Sequence, residues 1–561
     1  MDFRKKTMLA LVRRACSIPA PVARALKVAG LLVVILMMCL QLPSIMRPYA
    51  TDLVLRTSDL SNAIAVSSKP LGDDRNLSVN GTADGPRFPS KHVMDCGADI
   101  GRLADIKDRH ELDDHIEYLK RYIRFTRKPI ERQSYTLLQQ SLLHGDAKDG
   151  GFERIQLSAS NDRKKECRQP LEVSVTQSRF PADVDLSDFI FAIATTTERM
   201  NHPTTISEWA FWLTDGNGRP NGGKLLVRLL DATEPELKDV AQRLADAGID
   251  AEVSAWDSRF EKEMAVRYFK LVPLMYQAAP TRKWFVLCDD DTFFTAMNGL
   301  VAELKRFDHA KPFYIGTLSE DMNAVSMHGS HAYGGAGIFI SRTLAKAIHG
   351  VHEKCTTRAK VRQSNTGYGA QGDIILRQCI YDNTDVRLTV LRDLWQFDLS
   401  GDVSGFYESG FKPQSIHHFK SGFLWHLAYP LNTTKVAHTC GEDCPYQRFI
   451  TTDNFIISNG YSIAQYPDGI DFNLDQVERT FHSIIKDKPQ NFDLALGPQR
   501  PSLQQTGKKI AWELRESHIN MEDGSVSQIY IRKKDDERWA TKDGKGMKAL
   551  DGVIELVWVP E

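Results

Sequence analysis

Short apolar runs broken by polar turns dominate the chain from about residue 183 onward. Phe189-Ile190-Phe191-Ala192-Ile193-Ala194 reads as a buried strand ended by Thr195-Thr196-Thr197, and 225–230 and 249–253 are further strand candidates. The segment 258–279 reads as a helix whose Tyr268, Val272, Met275 and Ala279 fall on one face, a packing stripe rather than a cofactor box. Trp284-Phe285-Val286-Leu287 follows as another buried strand. Strands alternating with helices predict an α/β unit, a largely parallel sheet with helices on its faces. Ahead of it, about 102–145 (LADIKDRHELDDHIEYLKRYIRF and beyond) carries a helical pattern, and LEVSV from Leu171 reads as a strand. After about residue 445 the texture changes. NFIISNGYSIAQY, SQIYIRKKDDERW and VIELVWV alternate as strands do and predict a mainly β C-terminal appendage.

The N-terminus has a different pattern. Residues 28–46 (VAGLLVVILMMCLQLPSIM) carry no charge and would span about 28 Å as a helix, near the hydrocarbon thickness of a bilayer. Arg4, Lys5, Lys6, Arg13, Arg14, Arg24 and Lys27 precede the run, which places residues 1–27 in the cytosol and the remainder across the membrane. A cleaved signal peptide is the competing reading; the long basic leader and Arg47-Pro48 disfavour it. Asn76-Leu77-Ser78 and Asn80-Gly81-Thr82 are glycosylation sequons in the polar stretch that follows, and Asn432-Thr433-Thr434 is a third. The expected organisation is a cytosolic tail (1–27), a signal anchor (28–46), a stem and helical pre-domain (47–182), an α/β domain (183–430) and the β appendage (431–561).

Composition narrows the class. The chain has 561 residues, 42% hydrophobic and 25% charged, with a formal net charge of -1. That length predicts two or three domains, and the near-neutral balance argues against a nucleic-acid partner. Of nine cysteines, six (Cys96, Cys167, Cys355, Cys379, Cys440 and Cys444) form an even set that an oxidising compartment would allow to pair.

The candidate chemistry begins at Cys288-Asp289-Asp290-Asp291-Thr292. Three acids directly behind a buried strand sit at the carboxyl edge of a sheet, where open α/β folds bind ligands. Such close carboxylates repel one another, and a divalent cation relieves the repulsion; the alternative is a solvated acidic turn. Downstream lie Tyr333-Gly334-Gly335-Ala336-Gly337 before an apolar strand, Gly372-Asp373 at a helix start, Gln396-Phe397-Asp398, and Ser415-Ile416-His417-His418-Phe419. The glycines permit close backbone approach to a ligand. Asp373 is either a base or an N-cap, and Cys440 with Cys444 either pair locally or, with His438, contribute to a zinc site.

Taken together, W-F-x-x-x-DDDT, Y-G-G-A-G-x-x-x-S, a D-x-x-x-x-x-C helix and S-I-H-H resemble glycosyltransferase family 31 over about residues 185–430, in particular its fringe and core 1 β-1,3-galactosyltransferase branch with the plant and fungal fringe-related members. NGYSIAQY and LDQVERTF resemble the tail of those fringe-related members. The resemblance implies a GT-A fold, a Rossmann-like nucleotide-diphospho-sugar transferase core, in a single-pass type II Golgi membrane protein with its catalytic part in the lumen. It implies an inverting, metal-dependent transfer of a hexose, galactose foremost, from a UDP-sugar to a glycan or glycoprotein hydroxyl with a β-1,3 linkage; a mixed carboxylate and imidazole site favours Mn²⁺, with another divalent cation the alternative. An N-acetylglucosaminyl- or glucosyltransferase of the same fold and a catalytically inactive lumenal carbohydrate-binding protein are the alternatives. By matching motifs, Asp291 is the metal-binding acid, and Asp289 and Asp290 complete the metal and nucleotide-ribose environment. His417 is the second protein ligand, with His418 the alternative. Tyr333, Gly334, Gly335, Ala336 and Gly337 form the loop beside the donor sugar, and Asp373 is the catalytic base. A disulfide between Cys355 and Cys379 is implied in the same way, and Cys96 with Cys167 remain as a pair by elimination. Core 1 enzymes carry Glu-Asp where this chain has Gly372-Asp373, which bears on specificity.

Overall fold

The computed structural model describes residues 94–143, 151–162, 164–420, 425–485, 492–544 and 548–561. The expected anchor, 28–46, and the sequons at Asn76 and Asn80 lie outside the described residues. Among the described residues, no helix is long and apolar enough to cross a membrane.

A seven-stranded sheet forms the α/β half. Its order is Leu388–Val390, Tyr314–Gly316, Ile338–Ser341, Trp284–Leu287, Phe189–Thr195, Lys224–Leu230 and Ala251–Trp256. Only Ile338–Ser341 runs against its neighbours; the other pairings are parallel. The continuous apolar runs follow from burial on both faces. Along Phe189–Thr195, Phe189, Phe191 and Ile193 enter one core, and Ile190 and Ala192 enter the core on the opposite face. The helices Met264–Ala278, Arg342–Cys355 and Gly372–Asn383 pack together on the second face. The expected helix at 258–279 therefore starts six residues later. Val272 and Met275 of its stripe are fully buried, whereas Tyr268 reaches the edge of the core and the site described below.

The second sheet has ten strands, and it corrects the helical pattern expected over 102–145. Only Ile100–His110 is helical; His115–Lys128 is a fourteen-residue strand. Its apolar residues satisfy both periodicities. Leu119 and Ile123 are spaced as on a helix face, but as a strand Ile116 and Tyr118 enter one core while Leu119, Ile123 and Phe125 enter another. Non-local pairing decides between them. Residues Ile116 to Phe125 run parallel to Asp551 to Pro560, and Ile123 to Lys128 parallel to Leu171 to Thr176. The C-terminal β segment is thus not a free-standing appendage: its sheet takes strands from 115–176 as well as from 448–560.

Three disulfides join Cys96 to Cys167, Cys355 to Cys379 and Cys440 to Cys444, while Cys288 is a buried free thiol. The local Cys440–Cys444 bond removes the zinc alternative. Asn432, the third sequon, sits in the short helix Pro430–Thr434, and its amide donates to the Arg515 carbonyl at 2.9 Å.

Trp558 joins the N- and C-terminal parts of the large sheet. It is fully buried, lies 6.3 Å from Phe125 and 5.8 Å from Phe449 between ring centroids, and donates to Gln528 Oε1 at 2.7 Å. Trp558→Ala is expected to lower the unfolding free energy by about 3–5 kcal/mol, read by urea denaturation. A loss under 1 kcal/mol would contradict its placement.

Candidate metal and nucleotide-sugar site

The acid triplet occupies the turn that leaves Trp284–Leu287, and the chain then forms a two-residue strand, Phe293–Phe294. That strand pairs antiparallel with Ser415–Ile416, which brings His417 back over the acids from more than a hundred residues away. His417 Nε2 lies 3.1 Å from Asp291 Oδ1 and 3.4 Å from Asp289 Oδ2. One ligand atom from each of Asp289, Asp291 and His417 falls within 4.8 Å of the others. Nδ1 of His417 is 3.1 Å from the Gln396 carbonyl, which orients the ring and leaves Nε2 for the acids. Two carboxylates and an oriented imidazole suit a divalent ion such as Mn²⁺.

The electrostatics divide the triplet. Asp290 turns away, and Arg199 clamps it through Nε at 2.5 Å and through Nη2; the Thr195 hydroxyl also bonds it. Hydrogen bonding to Asp290 holds the Arg199 guanidinium well above its ordinary pKa. Burial alone would push Asp291 up, but the charge of His417 outweighs it and holds the carboxyl well below the usual carboxylate range. Burial likewise pushes His417 down, and the Asp291 and Asp289 carboxylates outweigh it and raise the imidazole well above its ordinary value. Asp290 is therefore a buttress beside the cluster, not a member of it. His418 points elsewhere: Nδ1 is 3.4 Å from Asp398 Oδ1, and its ring stacks on Trp425 at 3.5 Å.

The glycine loop closes the site sterically. Gly334–Ala336 forms a single helical turn, and Gly337 has φ 96°, which favours glycine. Thr292 Oγ1 donates to the Gly335 carbonyl at 2.7 Å, and the Ser415 hydroxyl donates to the Ala336 carbonyl at 2.6 Å, so the loop is tied to both halves of the cluster. A Cβ on Gly335 would lie 2.1 Å from the His417 ring, and one on Gly334 would lie 2.0 Å from Tyr268 Oη. Tyr333 packs at the loop's start, its ring stacked 4.3 Å from that of His331.

Asp373 lies in the first turn of Gly372–Asn383, where Gln371 is the capping residue. Its Oδ1 accepts from the Ile374 N–H at 2.9 Å, and its Oδ2 is 3.2 Å from Nε2 of the buried His331. Burial pushes this carboxyl up, and His331 outweighs it, so Asp373 sits below its ordinary pKa and is ionised at neutral pH. Gly372 has a steric reason here. A Cβ would meet the Tyr268 ring at 2.6 Å, so Tyr268 fills the space beside Asp373 that a larger residue would need.

These groups line two adjoining cavities. Asp373, Asp289, His417, Gly335 and Tyr268 border one of about 260 Å³. The other, about 1040 Å³, is lined by the acid triplet, His417, Arg199, Arg228, Arg267 and Lys420, of which Arg199, Arg228 and Lys420 pair with Asp290, Glu252 and Glu208. Sequence reasoning missed those four cations, His331, and the exposure of Tyr268 to the site. Arg199 lies two residues beyond the Thr195-Thr196-Thr197 strand end, at the same carboxyl edge as the acids, a positional signal that was available.

Behind the cluster, Glu320 is fully buried and accepts from the Asp398 N–H at 3.2 Å. Burial and the neighbouring Asp398 charge push its carboxyl from 4.5 up to about 8.

Residues 236–396 match the family model described as Fringe-like, and residues 323–555 match the one described as a protein of unknown function, DUF604. No curated protein matches the chain. Among solved structures, the glycosyltransferase GlyE of Streptococcus pneumoniae TIGR4 aligns at 14% identity over 43% of this chain and 54% of its own, with a TM-score of 0.27. The galactosyltransferase LgtC with donor and acceptor sugar analogues aligns at 13% identity over 36% of this chain and 72% of its own, TM-score 0.26. The mannosyltransferase PcManGT of Pyrobaculum calidifontis, in complex with GDP-Man and Mn²⁺, aligns at 13% identity over 38% of this chain and 58% of its own, TM-score 0.23. The chain thus spans about half the length of the first of these structures.

Two outcomes follow from this geometry. Gly335→Ala is expected to displace His417 and weaken Mn²⁺ binding in the presence of UDP by about 10–100-fold by calorimetry; unchanged affinity would refute the steric link. Glu320 binds its proton more tightly in the folded state, so its contribution to stability is full below pH 4.5 and is lost as pH rises to about 8. Glu320→Gln is therefore expected to raise Tm relative to wild type increasingly between those pH values and evenly above them, with a pH-independent difference counting against it.

Proposed function

We propose that this chain, fringe-like in sequence over residues 236–396, is a glycosyltransferase that moves a hexose from a UDP-sugar to a hydroxyl of a glycan or glycoprotein acceptor with inversion. Galactose is the favoured donor sugar and β-1,3 the favoured linkage. One observation carries the reading: Asp289 and His417 of the three-residue cluster with Asp291 border the same cavity as Asp373.

Each group has a task in that scheme. Asp289, Asp291 and His417 would hold the divalent ion, which supplies Lewis-acid charge opposite a departing diphosphate. Arg267, which has no carboxylate partner among the described residues, lines the wider cleft and would face nucleotide phosphates, while Arg199 and Lys420 beside it are held by Asp290 and Glu208. Gly334 and Gly335 let the Tyr268 and His417 rings pack against the loop backbone, which sets both rings at the edge of the donor-sugar cavity. Asp373, ionised and held by His331, takes the proton of the attacking hydroxyl as general base. Attack from the face opposite the leaving diphosphate converts an α-linked donor into a β-linked product. We place the reaction in the Golgi lumen on a type II anchor at 28–46, a topology consistent with three disulfides in the lumenal part.

Purified full-length chain, screened with Mn²⁺ against UDP-galactose, UDP-glucose and UDP-N-acetylglucosamine, is expected to transfer or slowly hydrolyse one of them in a chelator-sensitive way. Asp373→Asn should lower kcat by about 10²–10⁴-fold while sparing UDP binding. An Asp373→Asn variant with wild-type kcat would rule out the base, and a chain inert towards all three donors would rule out the hexosyl-transfer reading.

A further inference from the structure

A third cavity, of about 470 Å³, adjoins the catalytic one. Its size falls within the roughly 300–1,000 Å³ of small-molecule sites. One wall comes from residues 400–403 and 425–429, and the opposite wall from Tyr461, Glu513, Arg515 and Arg538 of the C-terminal β region. All of these residues lie in the segment that matches the family of unknown function. Trp425 is the shared partition: it lines this cavity, the Asp373 cavity and the cation-lined cleft.

The lining has a distinctive chemistry. Glu513 accepts from Arg515 at 2.8 Å and also from Arg538, and Arg515 Nη1 donates to Tyr429 Oη at 3.1 Å. Arg538 is in turn bound to Asp536. The two guanidinium charges are thus matched by Glu513 and Asp536, and Asp402 adds a further carboxyl to the wall, which leaves fixed donors and acceptors and disfavours an anion. Tyr429 and Leu427 present apolar surface beside them, 36% and 53% exposed. In the cavity wall, Asp402 Oδ2 and His426 Nδ1 have no hydrogen-bond partner among the described residues. Buried polar atoms are ordinarily satisfied, and a hydroxyl-bearing ligand provides a partner. Aromatic and aliphatic faces next to a charge-compensated ring of donors and acceptors fit an uncharged, hydroxyl-rich ligand better than an anion or a purely apolar one.

We propose that this cavity binds a non-reacting sugar unit of an oligosaccharide acceptor, with the C-terminal β region supplying half of the subsite. The proposal rests on the transferase reading above. Asp289, Asp291, His417 and Asp373 do not line this cavity, so a sugar seated here does not itself react. Its binding orients the next unit towards Asp373, the use of remote binding energy that favours longer acceptors.

The test uses the full chain and a panel of uncharged galactose-, glucose- and N-acetylglucosamine-based tetrasaccharides, with binding followed by saturation-transfer NMR and titration. Wild type is expected to bind at least one member without competition from UDP. Tyr429→Ala and, separately, Leu427→Asp should each weaken that binding by about ten-fold or more, the scale of one lost aromatic or apolar contact. Both should leave Mn²⁺-UDP affinity unchanged. Binding of no panel member, or wild-type affinity in both variants, would overturn the subsite. Tetrasaccharide binding that both variants weaken, in a chain that binds no UDP, would uphold the subsite and overturn the transferase reading instead.

Discussion

The two-residue pairing between Phe293–Phe294 and Ser415–Ile416 is the constraint on which the site depends. Both phenylalanines are fully buried, so the pair is anchored in the core while its ends face the cavity. On one side the strand continues from the acid triplet, and on the other it runs into His417. This separate two-stranded ladder sets the imidazole 3.1 Å from the nearer carboxylate, although the residues are far apart in sequence. Register matters because a one-residue slip would turn His417 to the opposite face.

Around that pairing the site is defined as much by missing side chains as by present ones. Gly334, Gly335 and Gly372 each lie where a Cβ would collide with Tyr268 or His417. The three collisions involve two rings, and those rings border the cavity that Asp373 shares. The electrostatics follow the same economy. Two cations offset the repulsion of three adjacent acids: Arg199 binds Asp290 and lies 3.8 Å from Asp291, and His417 lies against Asp291 and, more distantly, Asp289. With Asp290 held by Arg199, the cluster that faces His417 keeps two carboxylates.

The large sheet bears on the site from outside. Its C-terminal strands meet residues 400–403 and 425–429 across the third cavity, and the same sheet is built on His115–Lys128 from the N-terminal side. The region that matches the family model of unknown function therefore meets the candidate site through Trp425.

Much of this was legible in the sequence. The continuous apolar runs at Phe189 and Trp284 identified buried strands because a strand covered on both faces needs no polar positions, and the acids were placed directly behind Trp284–Leu287, where the structure has them. The Gly-rich loop and the helix start at Asp373 were also evident as local patterns. What the tertiary structure alone decided were choices that local pattern leaves degenerate. His115–Lys128 fits a helix or a strand until Asp551–Pro560 pairs with it. Between His417 and His418 the chain order is uninformative, and backbone conformation turned one to the acids and the other to Asp398 and Trp425. The partners of Asp290 and Asp373, Arg199 and His331, are separated from them in sequence and had no spacing rule to reveal them. Residue types and short-range order are written in the chain; which distant groups come within a few ångströms depends on how whole elements pack.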